Sequence, residues 1–173
     1  MIHAQTVPVF EQQVRALIGQ LDKAAAWCSE QQVREEDLLD TRLSPDMHPL
    51  AKQLDFVVAQ LVQPIRRLAN ADLIDPAEAE PTIAAHQARL KAALALISAI
   101  DPASLDADPE RIVAMDLPNG MAFDLPATAY VRDWALPQFW FHLMTAYTIM
   151  RMRGIPIGKA DFVPHMLRHL RKT

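Results

Sequence analysis

Apolar positions return along this chain at helical spacing in four stretches, and at strand spacing in one. Over residues 6–29, Phe10, Val14, Leu17, Leu21 and Ala24 or Ala25 recur every three or four residues and predict a first helix with one buried face. Pro8 suits its first turn, where the missing N–H is not needed. A polar link follows, with a short helix over residues 35–40. A second helix is expected to open with Asp46 as N-cap, with Pro49 in its first turn and Pro45 and Leu50 as a hydrophobic staple. Its inner row is Leu50, Leu54, Val57 or Val58, Leu61, Ile65 and Leu68, and Pro64 is expected to kink or break the last turn. Residues 70–81 read as an acidic linker. Thr82 then caps a third helix with the row Ile83, Leu90, Leu94 and Ile97, ending at Asp101-Pro102.

Here the period falls to two. Val113, Met115 and Leu117, then Met121, Phe123 and Leu125, flank Pro118-Asn119-Gly120. A two-residue Asn-Gly turn would set Met115 against Asp124 and mix the faces. A three-residue loop pairs Leu117 with Met121, Met115 with Phe123 and Val113 with Leu125, which keeps all six apolar residues on one face. That register puts Gly120 in the left-handed position. The Val113, Met115 and Phe123 face is expected to pack on the helices, because an isolated hairpin is marginal in water.

A fourth helix is predicted from near residues 126–128. Tyr130, Trp134, Phe141, Met144 and Thr148 form one apolar row, and Phe139, Trp140, Leu143, Tyr147 and Met150 a second. Two rows predict a mostly buried helix. Pro137 predicts a kink, and Gln138, His142 and Thr145 form a lone polar seam at spacings of four and three. Arg151 and Arg153 suit the negative end of the helix dipole, and Gly154 and Pro156 mark the stop.

The segment around this helix carries Leu136-Pro137, Phe139, Phe141-His142, Ala146-Tyr147, Arg151, Gly154, Ile157-Gly158-Lys159 and Asp161-Phe162. Upstream stand Val7-Pro8-Val9-Phe10, Arg42-Leu43 and Pro45-Asp46-Met47. Together they form a pattern, over roughly residues 5 to 162, that resembles a bacterial family of domains of unknown function related to the DinB bundles. With the element order, the resemblance implies a mainly all-α fold. It is an antiparallel four-helix bundle of DinB type with a small β-hairpin between helices 3 and 4. Residues 1–163 would be the single domain, and residues 164–173 a C-terminal tail.

DinB-like relatives hold a divalent metal with three His, one from the second helix and two, four residues apart, from the fourth. That spacing sets both imidazoles on one helical face. His142 matches one position of the pair, but Gln138 and Ala146 stand four residues before and after it. His48, at the start of the second helix, is a further candidate. The set is incomplete, so no cofactor is assigned. The alternative is a zinc or nickel ion, which would need a third ligand such as His3 or Asp46. The preferred reading is a small-ligand seam of His142, Gln138, Thr145, Asp46 and His48. In it a hydrogen-bonded cluster joins His142, Gln138 and one of residues 46–48 beside Pro137.

Composition narrows the function classes. Hydrophobic content is 51% and Gly only 4, which favours helices. A net charge of −4 speaks against general nucleic-acid binding. No basic segment leads into an apolar run at the N-terminus, and no apolar stretch approaches ~18 residues, so neither a signal peptide nor a membrane span is expected. The single Cys28 suits the cytoplasm and, facing a core, has no activating base nearby in sequence. His165 and His169, though four apart, read as a solvated tail, and Ile157-Gly158-Lys159 lacks the phosphate-loop pattern. Lys159 and Asp161 are expected to fix the loop through charge. These readings give a homodimeric bundle that binds a small ligand or none and has no assigned catalytic residue. The alternatives are a metal-dependent enzyme of small-thiol transferase or hydrolase-like type, and a stress-related structural or interaction protein.

Overall fold

The periodic rows build the long helices where they predict them, and the boundaries shift for local reasons. The protein is described by a computed structural model covering residues 1–171. A short α1 (Ile2–Gln5) leads into α2 (Val7–Gln31), whose row Phe10, Val14, Leu17, Leu21 and Ala24 is buried. Gln32 ends α2 in the left-handed region at φ 53. In the link, α3 (Glu35–Leu39) places Glu35 so that its carboxylate accepts the Ile83 backbone N–H at 2.7 Å.

Helix α4 (Leu50–Ala69) begins four residues after the expected cap. A residue preceding proline is pushed out of the helical region, so His48 before Pro49 cannot continue a helix begun at Asp46. Residues 44–47 instead close a separate turn, with the Met47 N–H on the Ser44 carbonyl at 3.0 Å. Asp46 lies exposed in that turn and accepts the Ser44 hydroxyl at 2.5 Å. Pro64 does not end α4. Its ring is buried among the inner row, and the helix runs on to Ala69 before Asn70 turns left-handed at φ 50. Burial of that row outweighs one lost backbone bond.

Thr82 caps α5 (Ile83–Ser98) as predicted, its hydroxyl accepting the Ala85 N–H at 3.1 Å. After α6 (Pro102–Asp106) come β1 (Ile112–Asp116) and β2 (Ala122–Pro126). The register is the one read from the sequence: Met115 faces Phe123 and Val113 faces Leu125. The Leu117 N–H donates to the Met121 carbonyl, and Gly120 closes the loop at φ +83. Gly120→Val should cost about 1–2 kcal/mol, purely as backbone strain, since no atom lies within 4 Å of a Cβ there. An unchanged melting temperature would overturn this turn. The apolar face is only half covered, however. Val113 and Met115 are buried, whereas Met121 and Phe123 overhang the edge, with the Phe123 ring 6.3 Å from Trp134.

The fourth helical stretch is α7 (Ala127–Tyr130), a π-turn over Val131–Ala135 and α8 (Leu136–Met152). The Leu136 N–H donates to the Val131 carbonyl five residues back. Pro137 has no N–H to give, and the wider turn just before it absorbs the mismatch. Beyond α8, Asp161 in α9 (Lys159–Phe162) accepts the Gly158 N–H at 2.8 Å and pairs with Lys23 at 2.7 Å. Lys23, on α2, thus supplies the cation of that loop. Residues Pro164–His169 form a 3₁₀ turn against α2.

Side-chain bonds between helices give their directions. Gln87 meets Ile18 and Asp22, and Ser98 meets Glu11, so α2 and α5 are antiparallel. Gln53 meets His142 and Arg67 meets Tyr130, so α4 and α8 are antiparallel. Asp55 meets His86 and Arg89, all near helix starts, so α4 and α5 run the same way. This parallel step makes a long linker necessary. A 20-residue helix is about 30 Å long, and the irregular segment after α4 must return along it.

Candidate functional site

The polar seam of α8 finds its partner on α4. Gln53 stands three residues after Leu50 and four before Val57, so the helix turns it inward with the core row, and it is 2% exposed. A buried amide must satisfy both ends. Its Nε2 donates to the His48 carbonyl at 3.1 Å, and its Oε1 lies 2.9 Å from His142 Nδ1. Because the amide is oriented by its donor end, its oxygen faces the imidazole, and His142 must carry its proton on Nδ1. Nε2 is then left as a lone-pair acceptor. It makes no hydrogen bond among the described residues, and it is not one of the sealed, unpartnered atoms, so it reaches solvent.

Aromatic rings hold this imidazole from its faces and edges. Phe56 stacks on His142 at 4.5 Å and 29°, and His48 meets the same Phe56 edge-on at 5.2 Å. Phe141 stands edge-on to His142 at 5.2 Å. Burial, with a smaller contribution from the His48 charge, brings the His142 pKa down from 6.5 to about 4. At neutral pH it is therefore a fixed, uncharged acceptor.

Of the five residues read from the sequence as a site, the structure brings two together, His48 and His142. Gln138 is half-buried and forms no hydrogen bond with the cluster. Thr145 is buried, and its hydroxyl donates to its own helix at the Phe141 carbonyl, 2.7 Å away. Asp46 stays in its separate turn with Ser44. The expected cluster of His142 and Gln138 with a residue from 46–48 is thus replaced by a relay through Gln53. The reason is the late start of α4, which puts the first inward-facing polar side chain at 53. Gln53 and Phe56 were absent from the sequence reading. The available signal was a glutamine inside the Leu50–Val57 inner row, where only apolar residues are expected.

Among the described residues, no three His, Cys, Asp or Glu side chains come close enough to hold a metal ion. Against the three-His set implied by the resemblance, the imidazoles of 48 and 142 lack a third donor, so this donor set does not fit a resident metal. His165 is half-buried and does not pair with His169, whose Nε2 accepts from Arg168 at 3.0 Å. Cys28 is buried, and burial raises its thiol pKa, which makes a poor nucleophile. A buried imidazole, His86, sits 3.9 Å from Asp55, and burial lowers its pKa. Arg89 bonds both Asp55 and the Pro76 carbonyl, so this group ties the crossover to the bundle. A cleft of about 550 Å³ is lined by Gln5, Thr128, Arg132, Leu136 and Trp140. Trp140 precedes His142 by two residues, about 200° around the helix, so cleft and imidazole occupy opposite sides of α8.

With the geometry in place, three comparisons bear on it. The profile of the domain of unknown function DUF1993 matches residues 2–163. The crystal structure of a DinB family member protein from Shewanella denitrificans is similar at a TM-score of 0.86 and 25% identity, over 94% of this chain and 92% of that one. No curated protein matches the chain.

Proposed function

The chain belongs to the DUF1993 family, and on the geometry of its His142 cluster we propose that it is a non-catalytic bundle that binds a small ligand. The observation that carries this reading is the Gln53 relay, which fixes one tautomer and leaves His142 Nε2 as an open acceptor between aromatic rings. Such a site suits a planar or apolar molecule with one N–H or O–H donor, stacked beside Phe56 and Phe141. No general acid or nucleophile accompanies it. An imidazole with a pKa near 4 is a weak base at neutral pH, which argues against proton-transfer catalysis.

The metal-dependent reading draws on the same relay, since a ligating His commonly bonds its second nitrogen to an outer partner. One experiment separates the two. Wild type and His142→Phe are screened against small phenols, amides and azoles by thermal shift, and both are analysed for zinc and nickel after dialysis. Ligand binding predicts donors that raise the wild-type melting temperature and leave the variant unmoved. About one equivalent of metal in the wild type and none in the variant would overturn the metal-free reading. No response to either would leave the third reading, a structural or interaction protein.

The lowered pKa also sets a pH dependence. In the unfolded chain His142 takes up a proton near 6.5, and in the folded one only near 4. Between these values the unfolded state binds more protons, so stability falls as pH drops from about 6.5 toward 4. The full shift corresponds to about 3 kcal/mol, reduced to roughly 1–2 by solvent screening of a half-exposed ring. Denaturant melts at pH 7 and 4.5 should show a smaller loss for His142→Gln than for wild type. His86, lowered in the same direction, accounts for part of what remains.

A further inference from the structure

Helix α8 is covered less fully than its apolar content predicts. Phe141 is 57% exposed and Met144 42%, and on another side Leu136 and Trp140 remain half-buried. Those last two belong to one wall of the cleft of about 550 Å³, whose other wall is α1 and the start of α2, with Gln5 and Val9. Thr128, Arg132, Leu136 and Trp140 line it at steps of four. In a regular α-helix each such step drifts by about 40°, so the row would wind about 120° away between 128 and 140. The π-turn over Val131–Ala135 takes up one extra residue, worth about 100°, and brings the four back into line. Single π-turns of this kind recur at functional sites.

The chemistry of that wall is one-sided. Leu136 and the Trp140 ring are apolar, and the polar groups beside them are donors. Trp140 Nε1–H makes no hydrogen bond among the described residues, and it is not sealed from solvent. Among the described residues, Arg132 is the one charged group of the lining. Asp133 takes its Nε–H and one Nη2–H, both at 2.7 Å. The Nη1–Nη2 edge has no partner among the described residues, and that edge is a two-pronged donor shaped for a carboxylate. Glu110 lies 3.5 Å from the Thr128 hydroxyl, so an anion is favoured at the Arg132 end of the row, away from it. We propose that this cleft binds a small carboxylate with a flat apolar body, its charge on the open edge of Arg132 and its body against Leu136 and Trp140. The volume suits such a molecule, since small-ligand clefts span about 300–1,000 Å³. A neutral ligand would leave the guanidinium edge unmatched. The site stands apart from the proposed function: it lies across α8 from His142, whose open Nε2 is an acceptor and offers a carboxylate no proton.

Benzoate, phenylacetate and indoleacetate, each beside its methyl ester, are titrated to about 20 mM into the isotope-labelled protein. The assigned indole N–H resonance of Trp140 is followed by NMR. At least one carboxylate is expected to shift it saturably, and to bind at least about tenfold more tightly than its ester. Arg132→Gln, at an exposed position, should weaken that binding at least about tenfold. His142→Phe should leave it unchanged. A Trp140 resonance that no carboxylate moves overturns the proposal. So does an ester that binds as tightly as its acid, and so does Arg132→Gln binding as the wild type does. Loss of the response in His142→Phe would place the ligand at the other site and overturn it equally.

Discussion

Phe139→Ala is expected to cost about 3–5 kcal/mol of stability, the largest effect of any substitution considered for this chain. Phe139 is fully buried, with its ring 4.7 Å from Phe10 on α2 and 5.5 Å from Trp140. It joins α8 to α2, which run the same way, as α4 and α5 do. Truncation removes the ring and leaves a cavity that two rigid helices cannot close. Urea denaturation should show a lower midpoint at unchanged slope. A loss under about 1 kcal/mol would place the ring outside the core. Phe10→Ala and the double variant complete a cycle, and because the rings touch, their costs should not add.

Gln53→Ala should cost about 2–4 kcal/mol and should also alter His142. The substitution leaves a void at a position 2% exposed and strips the acceptor from His142 Nδ1–H and the donor from the His48 carbonyl. The NMR signature of His142 distinguishes this from simple loss of packing. In wild type, nitrogen-detected spectra should report the Nδ1–H tautomer across neutral pH. In Gln53→Ala that preference should relax toward the Nε2–H form common in free imidazole. Gln53→Glu is the conservative control. A carboxylate beside the ring favours its charged form, so the His142 pKa should rise from about 4. A wild-type spectrum showing the Nε2–H tautomer would remove the relay and the ligand reading built on it.

The two substitutions also mark how far the sequence alone reached. Phe10 and Phe139 both fell in rows drawn from periodicity, and both are buried. The cap at Thr82 and the three-residue hairpin loop were equally legible, because each depends on residues within a few positions of one another. Gln53 was not. Its position in the inner row could be counted, but a partner 89 residues away could not. Asp46 failed for a local reason that was available, the restriction that Pro49 imposes on His48. Of the kink or break expected at Pro64, the break did not occur, for a distant reason: a buried row holds the helix through a residue that would end it in isolation.

What the sequence by itself determined is therefore local: four helical stretches, one strand pair with its register, the turn at Gly120 and the family pattern along α8. These follow from side-chain periodicity and backbone sterics, which act over a few residues. The tertiary structure decided the rest. It set α4 and α5 parallel and made the linker a crossover. It turned Phe141 and Met144 outward while burying Phe139 and Leu143. It joined His142 to Gln53 in place of Gln138 or Asp46. A helix with two apolar rows does not specify which one its neighbours will cover. That choice belongs to the packing of α2, α4 and α8 against one another, where burial of large surfaces outweighs the preference of any single residue.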